Sequence, residues 1–136
     1  MEKEFVTYDL ALRMNQLGFD EECLAIYSNA NPKTGLYTLK KYRLKLIKQA
    51  SQKDKGVKAP LFQQAFRWFR EKYFYISYVC APYKEYDEFY FRIRHIGDVI
   101  NEGQLESCES QVYNTYEEAE LHCLEKLIDI VEGKSE

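Results

Sequence analysis

Between Ala59 and Tyr73 the chain carries Phe62, Ala65, Phe66, Phe69 and Tyr73 at i, i+3, i+4, i+7 and i+11. On a helix that spacing gathers the five into one apolar stripe, with Arg67, Arg70 and Glu71 opposite. Burying each large side chain of such a stripe contributes roughly 1.5–3 kcal/mol, so the remaining elements are expected to fold over it. Pro60 suits the first helical position, where its missing N–H is no loss and its φ already matches the helix. Trp68 falls at the rim of the stripe beside Leu61. Partial exposure there, with Arg67 and Lys72 alongside, makes these three residues a candidate interaction surface.

The 136 residues correspond to one ordinary domain, spanning 1–136, which can bury about two thirds of its unfolded surface without a metal or a disulfide. Twelve tyrosines and eight phenylalanines point to packed sheet faces or to a recognition surface, because tyrosine buries area while keeping a hydroxyl available. Cys23, Cys80, Cys108 and Cys123 form no C-x-x-C pair, and the only histidines are His95 and His122. No metal site and no cofactor are therefore expected. The N-terminus has no apolar leader, and no apolar run approaches the ~20 residues of a membrane span. The expected compartment is a reducing cytoplasm, with free thiols and no membrane contact.

Taken in order, Thr7 is expected to cap a helix from Tyr8 to Leu17, and Gly18 with Phe19 to close it in a left-handed turn. Cys23 to Ser28 and Leu36 to Leu39 read as a hairpin, and a strand is favoured from Lys40 to Ile47. Residues 49–58 read as a mobile basic loop. Phe74–Cys80 and Glu88–Ile96 are β-branched and aromatic, and the second alternates with period two. They are expected to pair, with Phe89, Phe91, Ile93 and His95 on one face and Tyr90, Arg92 and Arg94 on the other. Asn101 to Ser110 reads as an acidic loop and Gln111–Tyr113 as a short third strand. Thr115 and Glu118 form a T-x-x-E capping box opening a helix over 116–131. Glu120 lies inside its apolar stripe and is a candidate buried charge, in need of Arg67, Arg70 or a tyrosine hydroxyl. The fold class is α+β: antiparallel β-hairpins with about three helices, the central helix 60–73 and the C-terminal helix 116–131 packed on one sheet face.

The net charge of −3 conceals a segregation. Residues 33–58 hold nine basic side chains against Asp54 alone, while 85–136 hold fourteen acids against four bases. Lys40, Lys41, Arg43, Lys45 and Lys48 are thus candidate nucleic-acid contacts, with Tyr37 and Tyr42 able to stack bases. Overall acidity opposes that reading, since dedicated nucleic-acid domains are basic. The order from Leu61 onward is similar in outline to the double-stranded-RNA-binding module. Its phosphate-reading helix start, however, is here occupied by Tyr116-Glu117-Glu118-Ala119-Glu120. No nucleophile elbow, phosphate loop, zinc helix or dinucleotide turn is present, and His122 and Cys123 diverge by about 100° on a helix, so no catalytic residue is assigned.

Three stretches together carry a resemblance: Leu17-Gly18-Phe19-Asp20-Glu21, then Gln64 to Tyr73, then Tyr116-Glu117-Glu118-Ala119-Glu120 with Cys123 to Ile128. They resemble a family of small uncharacterised proteins of gut Bacteroidetes and their phages and mobile elements. The resemblance implies an accessory or binding role inside the cell and supplies no functional residues. The expectation is a non-enzymatic interaction module acting on an unidentified protein or on a second copy of itself, with nucleic-acid binding as the alternative.

Overall fold

The computed structural model describes residues 4–27, 36–38, 56–82, 87–96 and 107–134. They form an α+β fold in two compact units, Met1–Phe62 and Gln63–Glu136.

The first unit opens with α1 (Tyr8–Gln16), whose Leu10, Ala11 and Met14 are buried at i, i+1 and i+4. Its termination follows the sequence. Gly18 takes φ 101°, Gly18 N–H donates to Asn15 (3.1 Å), Phe19 N–H reaches back to Met14 (3.0 Å), and the buried Phe19 ring closes the Schellman motif. The start corrects the expectation. Thr7 stands at the N-cap but its side chain makes no capping bond; only its carbonyl works, accepting Ala11 N–H.

Antiparallel β1 (Ala25–Tyr27) and β2 (Leu36–Thr38) form the expected hairpin. On the other side of β1 lies β3 (Val57–Lys58). Residues 49–55 of the expected basic loop, and the strand favoured from Lys40 to Ile47, lie outside the described residues. The end of that loop is corrected: Val57 is buried, and Lys58 pairs with Ile26. Gly56 permits the approach, because a Cβ there would stand 2.8 Å from the Tyr27 carbonyl oxygen. α1 packs on β3. Asn15 locks the two together, its amide nitrogen donating to the Lys58 carbonyl (3.2 Å) and its oxygen accepting Lys58 N–H (3.4 Å). Nearby, Lys58 Nζ pairs with Asp20 at 2.8 Å, which holds the Asp20 carboxyl below its ordinary range.

α2 (Phe62–Tyr73) begins two residues after Pro60. Pro60 is therefore not the first helical residue; its carbonyl accepts Val6 N–H (2.9 Å), and Leu61 bridges Phe5, so the chain is still extended there. The phenylalanine ridge is sheltered, with Phe62 and Phe69 buried and Phe66 half-buried.

In the second unit β4 (Tyr75–Cys80) and β5 (Tyr90–His95) pair from Tyr75↔His95 to Cys80↔Tyr90. Burial along β5 alternates as its period predicts, with Phe91 and Ile93 inside and Arg92 and Arg94 outside. The third strand is β6 (Ser107–Glu109), inside the segment expected to be an acidic loop. Gln111–Tyr113 is not a strand. Phe91 bonds Ser110, whereas Phe89 bonds Tyr113 in both directions, so Gln111 and Val112 together stand opposite Tyr90. That is a β-bulge, and it ends the ladder. α3 (Tyr116–Lys134) then packs on β4 and β5. Of the expected capping box the Thr115 half is present, with Glu118 N–H donating to Thr115 Oγ1 at 3.1 Å. Ala119, Cys123, Leu124, Leu127, Ile128 and Val131 are buried along it. No helix among the described residues is long and apolar enough to cross a membrane.

Candidate interaction face

The sheet β4–β5–β6 has one face under α3 and one open to water. Strand alternation assigns Tyr75, Ser77, Val79, Phe91, Ile93 and His95 to the covered side, and Ile76, Tyr78, Cys80, Tyr90, Arg92 and Arg94 to the other. On the covered side Tyr75 and His95 meet edge to face at 4.8 Å. Tyr113 is sandwiched there between Phe91 and His122, with centroids 6.3 and 4.8 Å away. Both histidines are thus packed against rings.

The open side carries large exposed apolar groups beside its arginines. Ile76 is 38% exposed, Tyr78 46%, and at the strand ends Phe74 and Ile96 reach 56% and 40%. Phe74 also has φ 62°, a left-handed conformation that costs a bulky residue roughly 1–2 kcal/mol. One cross-strand row organises the polar part. Arg92 Nε donates to Glu109 Oε2 at 2.8 Å, its guanidinium is hydrogen-bonded with Tyr78, and both contacts raise its pKa further above the ordinary range. It also lies 5.9 Å from the Tyr90 ring, and a hydrogen bond with Cys80 raises the Tyr90 pKa. Arg94, opposite Ile76, is exposed and makes no ion pair among the described residues.

The residues singled out from the sequence fall elsewhere. Arg67 and Lys72 are exposed on α2, but Trp68 is 6% exposed, which corrects its expected role as a surface anchor. Its ring packs edge-on against Phe69 (5.0 Å) and Tyr73 (5.5 Å), and Lys72 Nζ caps it at 5.0 Å. The stripe is simply wider than a strict i, i+3, i+4 count allows. Lys40, Lys41, Arg43, Lys45 and Lys48 lie outside the described residues. Glu120 is half-buried and its partner is Tyr116, one turn earlier. Desolvation raises its pKa, opposed by the Tyr116 hydrogen bond and reinforced by Glu117. Cys123 is fully buried, and desolvation pushes its thiol up to about 12. Among the described residues no cluster of three His, Cys, Asp or Glu side chains could hold a metal ion.

What the sequence reading missed is the open face itself. Its signal is in Tyr75-Ile76-Ser77-Tyr78-Val79, which is apolar at both parities, so the strand needs cover on both sides. No family model, curated protein or solved structure matches the chain.

Proposed function

We propose that this chain is a small non-enzymatic interaction module whose docking surface is the open side of β4–β5–β6. The observation that carries the reading is the group Phe74, Ile76, Tyr78 and Ile96, exposed on a sheet whose opposite side is already packed. Contiguous apolar surface of that kind marks interaction sites on soluble proteins. Tyrosine and arginine, both supplied here by the same face, are enriched among residues that anchor interfaces. The perturbed groups fit structural roles: Cys123 is sealed under the sheet and Glu120 is tied to its own helix. An accessory, cytoplasmic role like that implied by the resemblance to small phage and mobile-element proteins belongs to the same proposal. The test is capture from the native host with the wild-type chain and with Ile76→Lys/Tyr78→Lys, each with and without nuclease. Partners retained by the first and lost by the second support the reading; identical lists overturn it.

A second reading is nucleic-acid binding through residues 33–58, favoured by nine basic side chains against one acid. It predicts retention on heparin that fades with salt and is lost when Lys40, Lys41 and Lys45 are changed to Glu.

A further inference from the structure

We infer that the open side of β4–β5–β6 receives an acidic amphipathic helix of another protein, with a carboxylate of that helix on Arg94. The inference rests on the reading of this face as a docking surface and names the chemistry of its occupant.

Two neighbouring cross-strand rows on that side share one plan and differ at one end. In the first, Tyr78 stands opposite Arg92 and Arg92 opposite Glu109, and Arg92 Nε donates to Glu109 Oε2 at 2.8 Å. In the second, Ile76 stands opposite Arg94 and Arg94 opposite Ser107. A carboxylate ends the first row and a serine ends the second. Arg94 is exposed and makes no ion pair among the described residues. Its neighbours on the face are apolar. Ile76 lies across the ladder and Ile96 two residues further along, both exposed, and the exposed Phe74 is held beside Ile96 by the Ile96 N–H bond to its carbonyl. A cation among apolar groups suits an interface anchor, because a partner that covers those groups also removes water from the charge and strengthens a salt bridge to it.

The sign of the partner follows from where the acids lie. Glu117, Glu118, Glu125 and Asp129 are exposed on α3, which packs on the opposite side of the sheet. The strands themselves give the open side Arg92 and Arg94 against Glu109 alone. An anion is therefore disfavoured on one side of this layer and favoured on the other. The excess is too small for a strand of phosphates, whose binding neutralises several charges at once, and Glu109 opposes it. One carboxylate among apolar side chains matches what Arg94 and its neighbours offer.

Backbone hydrogen bonding decides the occupant's secondary structure. A segment laid across a sheet face meets side chains rather than backbone groups. An extended one would bury its own N–H and C=O unpaired, whereas a helix satisfies them internally. A helix is about 10 Å across and adjacent strands are about 4.8 Å apart, so one helix spans the β4–β5 pair, as α3 does on the other side. The helices of a second copy do not fit the role, since the apolar sides of α1, α2 and α3 are already buried.

Fluorescence anisotropy of the full chain with two labelled peptides tests this. Both are helical, about 18 residues long, with leucines at i, i+3, i+4 and i+7; one carries glutamates at the flanking positions and the other lysines. The glutamate peptide is expected to bind at least about tenfold more tightly than the lysine peptide, and Arg94→Glu to reverse that order. Ile76→Ser is expected to weaken the glutamate peptide without changing the far-UV spectrum. Amide shifts on binding are expected at Ile76, Tyr78, Arg94 and Ile96. Equal binding of the two peptides, binding of neither, or an order that Arg94→Glu leaves unchanged overturns the inference. So does tighter binding of oligothymidylate that fades steeply with salt, which assigns the face to single-stranded nucleic acid. If neither peptide binds while Ile76→Lys/Tyr78→Lys still loses captured host proteins, the acidic helix falls and the docking reading stands; if nothing is lost, both fall.

Discussion

Single residues carry much of the local logic. Gly18 at φ 101° is the one position of α1's end that a side chain would strain, so Gly18→Ala is expected to cost about 1–2 kcal/mol in urea unfolding. Phe74 presents the converse. It holds a left-handed φ of 62° without being glycine, and Phe74→Gly relieves roughly 1–2 kcal/mol of strain against about 0.5–1 kcal/mol of added unfolded-chain entropy. A net gain between about 0 and 1.5 kcal/mol in the same assay is the expected outcome. For Glu120, the folded chain binds the carboxyl proton more tightly than the ordinary value of 4.5 allows, chiefly through desolvation. With the folded pKa above the unfolded one, the group's contribution is best below pH 4.5 and declines as pH rises through the folded value. Glu120→Gln keeps a hydrogen-bonding group for Tyr116 and is expected to stabilise the protein at pH 7 by less than about 1 kcal/mol, because the site is partly solvated. The difference should disappear in melts run below that pH range.

At the scale of elements, one side chain does what a strand would otherwise do. Asn15 accepts from and donates to Lys58, closing β3's outer edge and fixing α1 across it. Asn15→Ala strips both partners from a part-buried backbone and is expected to cost about 1–2 kcal/mol, with faster amide exchange at Lys58 as its local signature. The hairpins and helices themselves were readable. The Thr115 cap, the Gly18 stop and the alternation of β5 depend on neighbours within a few residues, and all three stand in the structure. Strand β6 was not readable, because three residues of an acidic segment carry no period of their own and pair only where Arg92, Ile93 and Arg94 already present an edge.

For the molecule as a whole, a core sealed to water has a chemical readout in Cys123. Its thiol, pushed up to about 12 by burial, is expected to resist iodoacetamide at pH 8, while the part-exposed Cys23, Cys80 and Cys108 are alkylated first. Peptide mass spectrometry should show Cys123 modified only at the rate of unfolding. Because the folded thiol ionises later than an unfolded one, stability is also expected to fall as pH climbs from about 8.5 toward that value.

By itself the sequence determined where α1 ends and where α3 begins, which residues of β5 turn inward, and that an aromatic ridge from Phe62 to Phe69 had to be sheltered. Those outcomes follow from periods of 3.6 and 2 and from capping chemistry, which are properties of short stretches. Tertiary structure decided which apolar surface would be left over. Trp68, expected at the rim, is inside; Ile76 and Tyr78, indistinguishable by composition from core residues, are outside. Hydrophobic side chains specify burial without naming the surface that covers them, and α3 can lie on only one side of the sheet at a time.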